Sequence, residues 1–285
     1  NRCVMLVGGD TFTGSSPEIV VAGPCLIRAC GTGKPKLTGS AANTAILVLG
    51  NGTTSNLTLC DLDIDGGGAT NNGGIQARVL GGTVLTDFTM LRCDIHDTGF
   101  GFDGFETYFS SKPVGFYMQD CNTYNMRSTG GSTPPIGFRW CAQYMGVVGN
   151  RFWVTAINST EHPVRTHWTY LSALTNNTVG NHSGKEQMSL RALDSSAPNW
   201  GLSAAECANR FNNICENEVN DSDGAGIQFT FSSGGDRDER YNNNIVNANY
   251  VKTTAGKGAQ IWFRGDHNKG SNNVYQTTGT PFYQG

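Results

Sequence analysis

Residues Leu57, Thr58, Leu59, Cys60, Asp61, Leu62, Asp63 and Ile64 alternate apolar and polar side chains, the alternation broken by one small polar residue. A period of two is that of a strand with one buried face. Variants return six times: Cys93 precedes Asp94 and Ile95, Cys121 precedes Asn122 and Thr123, and Asn150 precedes Arg151 and Phe152. The series continues through Asn177 with Val179, Asn217 with Val219, and Asn249 with Val251. With Cys60 as the first anchor, the seven anchors are 33, 28, 29, 27, 40 and 32 residues apart. Repeats of this length mark a solenoid, in which each coil buries its apolar face against its neighbours.

Composition agrees. Of 285 residues, 38% are hydrophobic and 15% charged, with 38 Gly and 9 Pro. Low charge, abundant Gly and Asn, and many Val, Ile, Thr and Phe favour strands joined by tight turns over helices. Because the repeat runs through most of the chain, residues 1–285 are read as one elongated domain. A formal net charge of -3 gives no global attraction to nucleic acid or anionic membrane. No apolar run approaches the roughly 18 residues a membrane span needs, and residues 1–12 lack a signal-peptide pattern. Neither nucleic acid nor a membrane span is therefore expected, and the location expected is extracellular or on a particle surface.

Nine cysteines leave at least one unpaired within the chain. Cys60, Cys93 and Cys121 are read as small buried thiols, since parallel stacking orients their side chains wrongly for bridging. Cys25 with Cys30, and Cys207 with Cys215, are close enough in sequence to bridge in an oxidising compartment, with reduced cysteines an equal alternative.

The order VMLVGGDTF (4–12), IRACGTGKPKLTG (27–39) and LTLCDLDIDG (57–66) resembles the opening of right-handed parallel β-helix proteins of the pectate-lyase-like superfamily. What the resemblance implies is an all-β, right-handed, single-stranded parallel β-helix over most of the chain. It implies no single activity, since that superfamily contains lyases, hydrolases, epimerases, phage tailspikes and proteins without catalysis. Residues 195–209 read as a projecting loop with a short helix at Leu202 to Cys207. Residues 3–12 begin in mid-strand and residues 271–285 read as a partial coil, neither with a cap. A longer parent chain, or self-association head to tail or as a trimer, is expected to cover these ends.

A second ladder follows the anchors: IQARV (75–79), DGFET (103–107), IGFRW (136–140), HPVRT (162–166), MSLRA (188–192), IQFTF (227–231) and IWFRG (261–265). Alternation directs Ala77, Phe105, Phe138, Val164, Leu190, Phe229 and Phe263 inward. It directs Arg78, Glu106, Arg139, Arg165, Arg191, Thr230 and Arg264 outward, one per coil. Glu106 would neutralise Arg78 and Arg139, whereas Arg139, Arg165 and Arg191 follow one another without an intervening acid. Such a run requires interleaved carboxylates or an anionic ligand, and guanidinium forks suit carboxylate, sulfate or phosphate.

The segment CDIHDTGFGFDGFE (93–106) gathers Asp94, His96, Asp97, Asp103 and Glu106. At Gly101, Phe102, Asp103 and Glu106 it resembles the YGFDPHE motif of mannuronan epimerases, a β-helix family acting on alginate. Phe105 stands where that family has its catalytic His, and Phe100 replaces the Tyr. The resemblance implies a carboxylate at Asp103 near a sugar-binding face. Asp clusters near turns also suit calcium, although turn Asp more often bonds its own backbone.

Glu161, His162 and Arg165 form a third group. In a lyase acting on a uronic acid polymer, a base takes the proton beside a carboxylate neutralised by Arg or calcium. His162 is a candidate base and Arg139 or Arg165 a candidate neutraliser, although the alternation points His162 inward. Trp262 offers a stacking surface two residues before Arg264. The catalytic candidates are thus Asp103, His162, Arg139 and Arg165. Substrate contacts are expected from Arg78, Glu106, Arg191, Trp262 and Arg264. The function expected is binding of an acidic polysaccharide, with cleavage or epimerisation as its chemistry. The alternative is a non-catalytic structural or adhesive module of an extracellular fibre, filament or phage tailspike.

Overall fold

A computed structural model describes residues 2–14, 19–21, 23–39, 45–49, 52–68, 73–77, 83–104, 109–126, 136–153, 162–180, 186–192, 200, 209–222, 226–230, 241–253, 261–263, 267–276 and 282–284. Among the described residues every regular element is a strand. The strands stack in parallel as a right-handed β-helix. Ten of them form a rear sheet, from Thr11–Gly14 through Asp63–Asp65, Asp94–His96, Asn122–Tyr124 and Arg151–Trp153 to Val274–Gln276. The other 21 carry two ladders. A flank ladder includes Gly52–Cys60, Thr83–Leu91 and Val114–Gln119. A front ladder includes Gly73–Ala77, Phe100–Asp103, Val164–Tyr170 and Met188–Arg191. The eleven-residue strand Phe138–Val148 belongs to both.

The core is a set of columns parallel to the helix axis. In the rear sheet Ile64, Ile95, Thr123, Phe152 and Val179 lie in register and are fully buried. In the front ladder the inward column is Ile75, Phe102, Phe138, Val164, Met188, Ile227 and Ile261. Phe102 stacks on Phe138 at 5.8 Å and on Phe88 at 5.8 Å, and Trp140 closes on Phe102 at 4.6 Å. Each such aromatic pair adds about 0.5–1.5 kcal/mol beyond its area burial.

The anchor row begins one corner later than the repeat suggests. Asp94 N–H bonds the Leu62 carbonyl, and Asp63 pairs with Asp94, so Leu62 is the coil-equivalent of Cys93. Cys60 instead pairs with Leu91, and its half-buried thiol faces Asp61 and Arg92. The reason is Asp61, whose φ of 57° turns the corner and breaks the alternation between Cys60 and Leu62. Cys25 and Cys30 are free thiols at opposite ends of the strand Cys25–Cys30, too far apart to bridge. Cys207 and the expected helix at 202–207 lie outside the described residues.

Two corners repeat on coil after coil with a residue in left-handed conformation. One carries Asp61, Arg92, Asp120, Gly149, Asn176, Glu216, Ala248 and Asn272; the other carries Asn56, Asp87, Gly115, Tyr144, Leu171, Phe211, Asn243 and His267. Such a turn breaks the sheet ladder and orphans backbone groups inside the helix. The following residue repairs it. Asn177 Oδ1 accepts from Asn150 N–H at 3.0 Å and Asn150 Nδ2 at 3.1 Å, while Asn177 Nδ2 donates to the Val147 carbonyl at 2.9 Å. Asn217, Asn249 and Asn273 repeat the arrangement. A second ladder, Ser172, Asn212, Asn244 and Asn268, does the same at the other corner.

Replacing Asn177 by Ala strands a buried N–H and a buried carbonyl, each costing about 1–3 kcal/mol. Urea unfolding of Asn177→Ala is expected to show a loss of roughly 2–4 kcal/mol, against about 1 kcal/mol or less for the exposed Asn176→Ala. Equal effects would show that the ladder contributes no more than a surface corner.

Candidate functional site

The front ladder presents one outward residue per coil beside its inward column. In register these are Gln76, Asp103, Arg139, Arg165, Ser189, Gln228 and Trp262. Arg139 and Arg165 stand on adjacent coils as expected. Arg191 does not share their row: it pairs with Thr230, two residues farther along. A slip of two leaves a period-two pattern unchanged, so Leu190 and Met188 both face inward and alternation cannot choose between them. The shift at Asp103 is three, with Phe102 rather than Phe105 opposite Phe138, and this brings Asp103 outward. Arg78, Phe105, Glu106, Glu161 and Arg264 lie outside the described residues.

Asp103 and Arg139 form a fork: Nε to Oδ1 at 2.6 Å and Nη2 to Oδ2 at 2.7 Å, with Gln76 Nε2 donating to Oδ2 at 3.3 Å. Asp103 is 3% exposed and Arg139 and Arg165 are each 8% exposed. The acid on the row one coil before Arg139 is therefore Asp103, in the place expected for Glu106, and the run that follows shortens to Arg139 and Arg165 because Arg191 leaves the row. Bidentate contact suits the planar guanidinium, and burial makes the pair costly to break.

Beyond Arg165 the strand carries a bulge: Trp140 pairs with Thr166 and Cys141 with Trp168, leaving His167 as the extra residue. Bulges re-aim side chains. Burial, reinforced by Arg165, Arg139, Arg191 and His162, pushes His167 well below the usual imidazole range. His162 is 1% exposed, and both of its ring nitrogens have partners. Nδ1 donates to the Glu186 carbonyl at 2.9 Å, with a Glu186 carboxylate oxygen at 3.2 Å. Nε2 accepts from Arg191 Nη2 at 2.9 Å, which makes His162 a neutral imidazole with an assigned tautomer. Arg191 Nε also bonds Ser189 Oγ at 3.3 Å, so its guanidinium reaches back along the row. The structure thus brings together Asp103, Arg139, Arg165, His162 and Arg191. It adds His167, whose place depends on a bulge with no signature in the sequence.

Asp94, His96 and Asp97 are separated from Asp103, lying on or beside the rear sheet. His96 Nε2 meets Asp63 at 2.7 Å and Nδ1 meets Asp97 at 2.7 Å, with Tyr124 stacked at 4.7 Å. Lys36 holds Asp65 and Lys34 holds Asp94, each at 2.7 Å. Donor atoms of Asp65, His96 and Asp97 lie within 4.8 Å of one another. Both nitrogens of His96 point a proton at a carboxylate, so the imidazolium has no lone pair for a cation, and among the described residues three cations here face four carboxylates. The hydrogen bond to Asp63, opposed by burial and helped by Asp97, raises His96 to about 9.

Of the tryptophans, Trp262 is half-buried on the front row, while Trp140 and Trp168 are core residues. Trp153 lies under the Arg151 guanidinium at 4.8 Å. Trp200, the described member of the 195–209 segment, packs on Trp168 at 5.6 Å and donates to the Phe109 carbonyl at 3.4 Å.

Two measurements follow from this geometry. By NMR titration His96 should stay protonated past neutral pH and titrate near 9, while His167 should stay neutral through pH 6.5. With His96 raised, its stabilisation is full below 6.5 and disappears as pH rises through about 9. With His167 lowered, the unfolded chain takes up the proton first, so stability falls as pH drops below 6.5. Removing one partner of the buried pair, as in Asp103→Ala, should cost about 3–5 kcal/mol in urea unfolding. A loss below about 1 kcal/mol would show the pair to be solvated.

No protein-family model and no curated protein matches the chain. Solved structures do. A variant tailspike protein of E. coli bacteriophage HK620, in complex with a pentasaccharide, is similar with a TM-score of 0.62 at 13% identity, over 99% of this chain and 52% of the tailspike. A second structure of that tailspike with pentasaccharide gives 0.56 at 12% identity, over 99% and 58%. The Azotobacter vinelandii mannuronan C-5 epimerase AlgE4 A-module gives 0.48 at 11% identity, over 99% and 88%. The chain spans about half the length of the tailspike it matches best among these, and what it shares with it is the parallel β-helix fold.

Proposed function

We propose that this β-helix binds an acidic polysaccharide along its front face, at an extracellular or particle-surface location. The observation that carries this reading is the gathering of Arg165 and Arg191 with the neutral imidazoles His162 and His167, next to an Asp103–Arg139 pair that neutralises itself. Glu186 is the described carboxylate beside this group, at 3.2 Å from His162. Arginine forks recognise uronate carboxylates or sulfates in a bidentate manner. Trp262, half-buried on the same row, offers a face for a sugar ring, and the tailspike of TM-score 0.62 carries a bound oligosaccharide.

The same geometry bears on chemistry. In uronate cleavage or epimerisation a base removes the proton next to a carboxylate that a cation stabilises. His162 Nε2 is the candidate base, and it acts only once a substrate carboxylate draws Arg191 away. A second reading, a non-catalytic binding or adhesive module, is favoured by the buried fork of Asp103 and Arg139, which leaves neither group poised for proton transfer.

Affinity electrophoresis in gels containing alginate or polygalacturonate, with dextran as the neutral control, tests the binding. Retardation should fall as salt rises, and Arg165→Ala or Arg191→Ala should each weaken it about tenfold. Equal retardation by wild type and both variants would overturn the assignment. Unsaturated sugar products absorbing in the ultraviolet, abolished in His162→Gln, would select the lyase chemistry; binding without product selects the adhesive module.

A further inference from the structure

The left-handed corner before the flank ladder departs from its own rule on three successive coils. Elsewhere it holds Asn56, Asp87, Gly115, Asn243 and His267, four of which are Asn, Asp or Gly, the types that adopt this conformation with least strain. Between them it holds Tyr144 at φ 57°, Leu171 at 51° and Phe211 at 55°. These three bulky residues are also 54%, 43% and 47% exposed, so core packing does not account for them. Beside this ridge runs the outward row Tyr117, Gly146, Ala173, Asn213 and Ile245, in which Gly146 and Ala173 make a shallow step between larger side chains. Tyr117 lies across Gly146, where an added Cβ would come within 2.7 Å of its ring. Its hydroxyl donates to Gln119 Oε1 at 2.7 Å, which fixes the ring. Phe211 is held edge-on by Tyr170 at 5.9 Å.

We propose that this corner is a second carbohydrate site, one that stacks neutral sugar rings. Among residues 143–148, 170–175 and 210–215, which carry the ridge and the row from Gly146 to Asn213, Arg210 is the one formal charge. An acidic polymer therefore has little to pair with here. The exposed rings and Leu171 amount to a few hundred Å², well under the roughly 800 Å² per partner of a stable protein interface. The rings of Tyr117, Tyr144 and Phe211, with Leu171 between the last two, are spaced along the axis at about 4.8 Å per coil and suit the apolar faces of pyranose rings. The site lies around the corner from Arg139 and Arg165 and does not rest on the acidic-polysaccharide reading.

The variant that separates binding from folding is Tyr144→Asn, which installs the residue type used at Asn56 and Asn243. It should keep or raise thermal stability by relieving the left-handed strain, and Tyr117→Ala serves as a second probe. In affinity electrophoresis against dextran, galactomannan and mixed-linkage β-glucan, wild type should be retarded by at least one, insensitively to salt. Tyr144→Asn and Tyr117→Ala should each lose about fivefold in affinity, while Arg165→Ala keeps it. Absence of retardation by all three polymers, or unchanged retardation of Tyr144→Asn, overturns the proposal. So does a wild-type dimer in light scattering that Tyr144→Asn converts to monomer, since the ridge would then be covered by a second copy of this chain.

Discussion

Coil after coil of this protein turns through left-handed corners at two positions, and each such turn takes backbone N–H and C=O groups out of the sheet ladder inside the molecule. The asparagine columns meet that constraint. Asn150, Asn177, Asn217 and Asn249 each accept from the coil before and donate to its carbonyl, so each of these corners is completed by its neighbour. Cooperation between coils is thereby built into the hydrogen bonding as well as the apolar core. The columns also set the register on which every surface row depends.

The front and rear faces handle charge differently. On the rear sheet, Lys34, Lys36 and the His96 imidazolium interleave with Asp63, Asp65, Asp94 and Asp97, so opposite charges alternate at 2.7 Å. On the front face Asp103 is matched to Arg139, and Arg191 bonds the neutral imidazole His162, whose other nitrogen meets Glu186. Neutral His beside Arg lowers local repulsion without cancelling the field that an anion would meet. The corner ridge of Tyr144, Leu171 and Phe211 is a third surface, exposed and apolar, so a single scaffold offers surfaces of different chemistry around its circumference.

How much of this was legible in the residues differs from element to element. The period-two strands and the recurrence of Cys93, Cys121, Asn150, Asn177, Asn217 and Asn249 point directly to a stacked parallel solenoid, because only inter-coil packing buries faces that repeat so. Cys60 misled: Asp61 adopts a left-handed conformation, and local alternation cannot foresee it. The second column of Ser172, Asn212, Asn244 and Asn268 was present in the chain but obscured by neighbouring Asn residues. Alternation puts Arg139 and Arg165 on one row, where the structure has them, while the register moves Arg191 by two residues and Asp103 by three.

The amino-acid sequence by itself determined the β-helix, the inward and outward faces of most strands, and the presence of arginines on one face, since these follow from side-chain periodicity and coil repeat. Tertiary structure alone decided which residues meet. Alternation is unchanged by a slip of two, so only the packing of Phe102 on Phe138, the bulge at His167 and the corner hydrogen bonds could seat Asp103 against Arg139, turn His162 toward Arg191, and line up Tyr144, Leu171 and Phe211 on one edge.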